Sequence, residues 1–339
     1  MKNLNNSYFN PFFSHIYIEK KIWNHPRTKK ILEKYPEAEI IEIGHYKDIF
    51  CRSRQNYMLQ SQSRKLILAA KEGNMLYQGS PVCQSFGNSH FYYTSCIMNC
   101  IYDCEYCYLK GMYPTANIVI FVNLEDIFAD VERMLKLHPL YLCISYDTDL
   151  LAFEQISGYV QAWNQFAKLH KQNLTIEIRT KCANQHIFEN QEPLPNVIYA
   201  FTVSPQAIIK RFEHHTPYLP ERIQCAATAV HAGFPVRLCF DPMIYIREWQ
   251  RHYEEMAKQV FASITPEKLL DVSVGSFRIS QDYLKKMRRQ QPDSEISWFP
   301  YQIENGYYHY PDDLMENMEQ YFITLLLEKL PPEKIFRWM

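Results

Sequence analysis

Between residue 89 and about residue 290, short strand-like runs alternate with amphipathic helical stretches, and this alternation constrains the fold more than any other feature. Residues 91–94, 118–122, 141–146, 175–179, 197–203, 236–240 and 272–277 read as extended. Helical spacing places Ile127, Val131, Met134 and Leu135 on one face behind Asn123, a good N-cap. Further helices are expected over 151–169, around 185–189, over 221–232 with Gly233 at its end, over 248–264, and around 283–289. Strands alternating with helices predict a parallel sheet with right-handed crossovers. The units fall short of the eight that a closed barrel needs. The expected fold is therefore α/β, a partial (βα)6 TIM-like barrel over residues 89–290. An N-terminal leader, 1–88, would pack on it, with a helix over 27–35 and a strand over 39–43. A tyrosine-rich extension, 291–339, would end in an amphipathic helix near 314–327.

Composition removes several functions. The chain has nine glycines, no two closer than six residues, so neither GxGxxG nor GxxxxGK[ST] can be written. Thirty-six basic against 37 acidic residues argue against wholesale electrostatic binding of nucleic acid. Two basic stretches, 25–30 and 285–289, read as solvated faces. No apolar run approaches about 18 residues and the first residues lack an apolar signal segment. A soluble, cytoplasmic protein with no membrane partner is the expectation.

Four of the ten cysteines, Cys96, Cys100, Cys104 and Cys107, fall within twelve residues. With no secretory signal, such a cluster points to a metal site or catalysis rather than a disulfide framework. Cys100-Ile-Tyr-Asp-Cys104-Glu-Tyr-Cys107 is C-x3-C-x2-C with an aromatic before the last cysteine. Three thiolates can hold three irons of a [4Fe-4S] cluster and leave the fourth open to another ligand. All four cysteines could instead bind zinc, although structural zinc sites usually pair two short hooks across a dozen or more residues. Cys96 is expected to stay unligated at a strand end.

This motif, placed after the first strand of a partial barrel, resembles that of the radical S-adenosylmethionine superfamily, with Tyr106 as its aromatic. The resemblance implies that Cys100, Cys104 and Cys107 ligate the cluster and that the open iron chelates S-adenosyl-L-methionine. Reductive cleavage would release a 5′-deoxyadenosyl radical, with Tyr106 beside the adenine and a flavodoxin or ferredoxin as electron donor. Closer likenesses lie in Tyr106-Cys107-Tyr108-Leu109, Val122-Asn123-Leu124-Glu125, residues 201–213, Glu221-Arg222-Ile223, His231-Ala232-Gly233-Phe234-Pro235 and residues 242–245. Together with Asn10-Pro11-Phe12 and Tyr17-Ile18-Glu19 in the leader, they resemble the spore photoproduct lyases, which cleave a thymine–thymine adduct in DNA.

That resemblance implies a DNA partner, a carbon–carbon lyase, and a cysteine that returns a hydrogen to the product. Tyr106 and Tyr108 match the family's tyrosine relay, Lys181 a lysine near cofactor and lesion, and Asp149 an acidic residue after the second barrel strand. Thr202 is a further candidate contact. Two departures stand out. The donor-cysteine position holds Tyr146. Cys143, three residues earlier, would face the other side of a strand, and Cys182 is a second nearby thiol; both read as structural. An arginine–tyrosine pair of the family falls at Gln302-Ile303, which removes a phosphate contact. Trp298, Tyr301, Tyr307 and Tyr308 either stack on bases or pack the tail. The reading is a radical S-adenosylmethionine enzyme cleaving a thymine adduct, with Tyr106, Tyr108 and Tyr146 catalytic. The alternatives are a paralogue acting on another substrate with Tyr146 at the donor position, and a zinc or iron–sulfur binding protein without radical chemistry.

Overall fold

A computed structural model describes residues 12–80, 83–189 and 191–338 of the chain; Asn10 and Pro11 of the leader motif lie outside them. An eight-stranded sheet runs in the order Ile335–Arg337, Asp271–Ser276, Val236–Met243, Val197–Thr202, Leu174–Thr180, Leu140–Cys143, Phe91–Tyr93 and Tyr77–Gln78. Neighbours are parallel except at the last pair. Six parallel strands, from Phe91–Tyr93 to Asp271–Ser276, form the curled half-barrel that the alternation predicts. Val197–Thr202 and Asp271–Ser276 are buried along their whole length, as strands covered on both faces must be.

The extended run at 118–122 behaves differently. Ile118–Phe121 joins Leu66–Ala69, His15–Glu19 and Glu39–Ile43 in a separate parallel sheet, closed by antiparallel Ile97–Met98. Both Ile118–Phe121 and Leu66–Ala69 are wholly buried, so each finds in the other the apolar edge it lacks. The leader thus contributes three strands to a second sheet. The crossover from Phe91–Tyr93 to Leu140–Cys143 carries the cysteine loop.

Three local expectations are revised. The stretch 151–169 breaks at Gly158, whose φ of 67° is left-handed, and the helix restarts as Tyr159–Leu169. The Glu154 carboxylate accepts from the backbone N–H groups of Val160 (2.6 Å) and Gln161 (3.1 Å), which caps the new helix. The break is silent in the apolar pattern because Ile156, Tyr159, Val160 and Trp163 are all buried. Asn123 does precede the helix Leu124–Leu135, but its side chain makes no cap. It accepts from the Lys71 N–H (2.7 Å) and donates to the Lys71 carbonyl (2.9 Å). Finally, the strand expected over 141–146 ends at Cys143, leaving Tyr146 in the turn beyond.

The extension packs mainly against the core. The helix Asp312–Leu327 buries Met318, Phe322 and Leu326, and Tyr310 is buried against Phe299 and Tyr301. Trp298 stays exposed beneath the Arg288 guanidinium, 5.0 Å from its ring. Gln302-Ile303 lies on an exposed strand, Gln302–Glu304. In the basic stretch at 25–30, Arg27 donates to the Val122 carbonyl (2.9 Å) and pairs with Glu125, so this face is partly tied down.

Inside the half-barrel, Arg237 donates to Glu177 (2.6 Å), the Tyr141 hydroxyl (2.6 Å) and Asp271 (2.7 Å), all buried. Removing one partner of such a network leaves charges without compensation. Arg237→Met should therefore lower unfolding free energy by about 3–5 kcal/mol, measured by urea denaturation. A loss well under 1 kcal/mol would show that Glu177 and Asp271 do not depend on it.

Candidate active site

The cysteine loop begins at Asn99, which is buried with a φ of 69°. Asparagine tolerates this left-handed turn, and its Nδ2 donates to the carbonyls of Thr115 (2.8 Å) and Asn117 (2.7 Å). Asp103–Cys104 then pairs antiparallel with Glu213–His214. The Asp103 carboxylate meets the buried Lys110 ammonium at 2.7 Å, and Arg64 donates to the carbonyls of Ile101 and Tyr102. The next helix, Leu109–Met112, needs Gly111, because a Cβ there would lie 2.4 Å from the Cβ of Tyr283. The loop is clamped on several sides, which suits a ligand-bearing segment.

Cys100, Cys104 and Cys107 are free thiols, buried or half-buried. Burial pushes all three up, Cys100 to about 12. They therefore ionise only where a cation compensates them, which a metal cluster does and water does not. Three soft thiolates on one loop fit an iron–sulfur cluster, in which each sulfur meets its own iron. A four-cysteine zinc site is not built here. Cys96 is fully buried with its sulfur accepting from the Trp163 indole at 3.3 Å. Among the described residues, no three His, Cys, Asp or Glu side chains converge on a single ion.

Beside the loop, the Lys181 ammonium lies 5.6 Å from the Tyr106 ring centroid. The Tyr106 hydroxyl donates to Glu213 (2.6 Å), which pairs with Arg222, both side chains fully buried. Burial alone would raise the Glu213 carboxyl, but Arg222 and Lys181 hold it down at about 2. Arg222 is fixed in turn by donating to Thr216 (2.6 Å) and the Pro217 carbonyl (2.9 Å), and it reaches the Thr202 carbonyl at 3.4 Å. Asp149 accepts from the Thr180 hydroxyl (2.7 Å) and the N–H groups of Lys181 (2.6 Å) and Ala152 (3.1 Å). Both of its oxygens are engaged, so it orients the turn carrying Lys181 rather than offering a free acceptor.

Tyr108 and Tyr146 come together next to this group. The Tyr108 hydroxyl donates to the Tyr146 carbonyl, the two ring centroids are 5.7 Å apart, and Tyr146 stacks on Tyr93 at 4.1 Å. Cys143 and Cys182 are buried core thiols. A different thiol faces Tyr146: Cys83, whose sulfur lies 3.4 Å from the Tyr146 hydroxyl, within hydrogen-bond reach. Sequence reasoning missed Cys83, a scattered cysteine 63 positions away with no local motif. It also missed the roles of Glu213 and Arg222, although both lie in segments that carry the family resemblance.

A family model described as spore photoproduct lyase matches residues 9–336. The spore photoproduct lyase of Clostridium acetobutylicum is 22% identical over 335 residues, covering 92% of this chain and 94% of that one. The Bacillus subtilis enzyme of the same name is 22% identical, covering 93% and 96%. Among solved structures, a spore photoproduct lyase complexed with dinucleoside spore photoproduct superposes with a TM-score of 0.79 at 15% identity, over 97% of this chain and 99% of that chain. A variant of such a lyase with bound AdoMet and the same lesion superposes at 0.76 and 17%, with the same coverage. These superpositions show the fold.

Proposed function

The chain belongs to the spore photoproduct lyase family, and on that premise we propose that it is a radical S-adenosylmethionine lyase that cleaves a thymine–thymine adduct in DNA. The observation that carries this reading is the clamped loop presenting three free thiols, Cys100, Cys104 and Cys107, with Tyr106 and Lys181 at its side. These thiols would hold a [4Fe-4S] cluster, which together with S-adenosyl-L-methionine supplies a 5′-deoxyadenosyl radical.

The chain's own groups position and protect that chemistry. Glu213 and Arg222 fix the Tyr106 hydroxyl, so the ring would offer S-adenosylmethionine a fixed surface when it binds. Asp149 holds the turn from which Lys181 directs a positive charge at the same place, suited to a carboxylate. The Tyr146 hydroxyl and the Cys83 thiol form a short row of O–H and S–H groups, and Tyr108 pins the turn that carries Tyr146 by donating to its backbone carbonyl. Tyr146 would give its hydroxyl hydrogen atom to the cleaved lesion and take one back from the Cys83 thiol 3.4 Å away, which leaves a thiyl radical on Cys83 to be quenched by one electron from the external donor and a proton. In this reading the cysteine missing at position 146 is supplied from the leader, one residue deeper in the row. Electrons come from an external donor of the flavodoxin or ferredoxin kind.

The test is turnover. Reconstituted anaerobically and given dithionite and S-adenosylmethionine, the protein should convert dinucleoside spore photoproduct to the undamaged thymidine dinucleotide. Cofactor cleavage without conversion of authentic lesion would transfer the assignment to another substrate on the same scaffold.

A further inference from the structure

A cavity of about 370 Å³ opens at the carboxyl ends of Leu66–Ala69 and Ile118–Phe121, between the leader sheet and the barrel. Ligands favour this end of parallel strands, and the volume suits a nucleoside-sized molecule. The lining contains none of the cluster cysteines and neither Tyr106, Tyr108 nor Lys181. It does share a wall with the radical row, because Tyr93 lines the cavity and stacks on Tyr146.

Two charged side chains, each more than nine-tenths buried, face this space. Asp147 accepts from the Ser95 hydroxyl through Oδ2 and interacts more weakly with the Tyr113 hydroxyl, while Oδ1 has no partner at ordinary hydrogen-bond distance among the described residues. Lys71 is held by the two-point grip of Asn123 on its backbone. Its ammonium lies 5.1 Å from the Tyr77 ring centroid and 5.2 Å from that of Phe121, and makes no ion pair among the described residues. A buried carboxylate oxygen without a hydrogen bond is costly, and the Lys71 ammonium has ring faces and the Asp147 charge for company but no hydrogen-bond acceptor among the described residues. Burial accordingly raises the Asp147 carboxyl and lowers the Lys71 ammonium. A ligand that offers an N–H to the first and an oxygen to the second relieves both, and Tyr113 together with the rim of the Tyr77–Tyr93 stack gives the space aromatic sides. A lone phosphate would satisfy Lys71 but set its charge against Asp147.

We propose that this cavity seats a thymine-type base of the substrate strand, the imide N–H donating to Asp147 Oδ1 and a ring carbonyl accepting from Lys71. The choice of thymine rests on the lyase reading; the need for an N–H beside an acceptor oxygen rests on the cavity alone.

The test is equilibrium binding of thymidine and 3-methylthymidine to the full-length reconstituted protein, by titration calorimetry. Removing the imide hydrogen should weaken binding by about tenfold or more. Lys71→Met should weaken thymidine to a similar degree without lowering the thermal midpoint, since the ammonium it removes makes no hydrogen bond or ion pair among the described residues and methionine keeps the contact with Tyr77 and Phe121. Equal affinity for the two nucleosides, no thymidine binding, thymidine binding unchanged in Lys71→Met, or displacement of thymidine by inorganic phosphate would each overturn the proposal. Lesion turnover on the same sample separates the two ideas. Turnover without nucleoside discrimination sinks only the base subsite, and discrimination without turnover sinks only the lyase reading.

Discussion

Cys104→Ala should cost the reconstituted protein its iron–sulfur visible absorbance and reduce S-adenosylmethionine cleavage by more than about 100-fold, beyond what loss of an outer-shell partner costs. Cys96→Ala should keep both. The contrast follows from geometry. Cys104 sits on the clamped loop in a bridge to Glu213–His214, whereas the Cys96 sulfur is turned into the core against Trp163. The backbone pairing at Cys104 does not use its side chain, so the loop should keep its place in the variant. Iron and sulfide content after anaerobic reconstitution reads the result. A four-cysteine site predicts equal losses from the two substitutions, and equal losses would contradict the three-ligand assignment.

Cys83→Ser should let the enzyme go on consuming lesion while recovery of repaired thymine falls by roughly 100-fold, the scale of effect expected when a reacting group is misplaced. Serine keeps a partner for the Tyr146 hydroxyl but holds its own hydrogen far more tightly than a thiol does. Tyr146→Phe should behave similarly, since it removes the hydroxyl that Cys83 refills. Placing a thiol directly at the donor position with Tyr146→Cys should then rescue Cys83→Ser. Product analysis by chromatography distinguishes repaired dinucleotide from diverted products. Undiminished repair in Cys83→Ser, or no rescue by the second change, would remove Cys83 from the path.

Much of this site is legible in the amino-acid sequence. The C-x3-C-x2-C spacing is local, so Cys100, Cys104 and Cys107 declare themselves on one loop. The six parallel barrel strands follow from alternation that survives burial on both faces. What stays hidden is non-local. Nothing in the chain connects Cys83 to Tyr146, Arg222 to Glu213, or Asn123 to Lys71, because each pair forms only when separate elements are packed together. The run at Ile118–Phe121 is ambiguous for a related reason. A fully apolar four-residue strand fits either sheet, and its partner Leu66–Ala69 decides. The break at Gly158 escapes the apolar pattern because the buried face continues across it. Cys143 would oppose position 146 only on a strand running through both, and the strand stops at Cys143.

The most direct test of the central claim is 5′-deoxyadenosine formation by the anaerobically reconstituted protein, with dithionite and S-adenosylmethionine, with and without an oligonucleotide carrying the thymine–thymine lesion. The account predicts cofactor cleavage that depends on Cys100, Cys104 and Cys107, and repaired thymine appearing only when the lesion is present. A protein that takes up iron and sulfide yet forms no 5′-deoxyadenosine under either condition would contradict it.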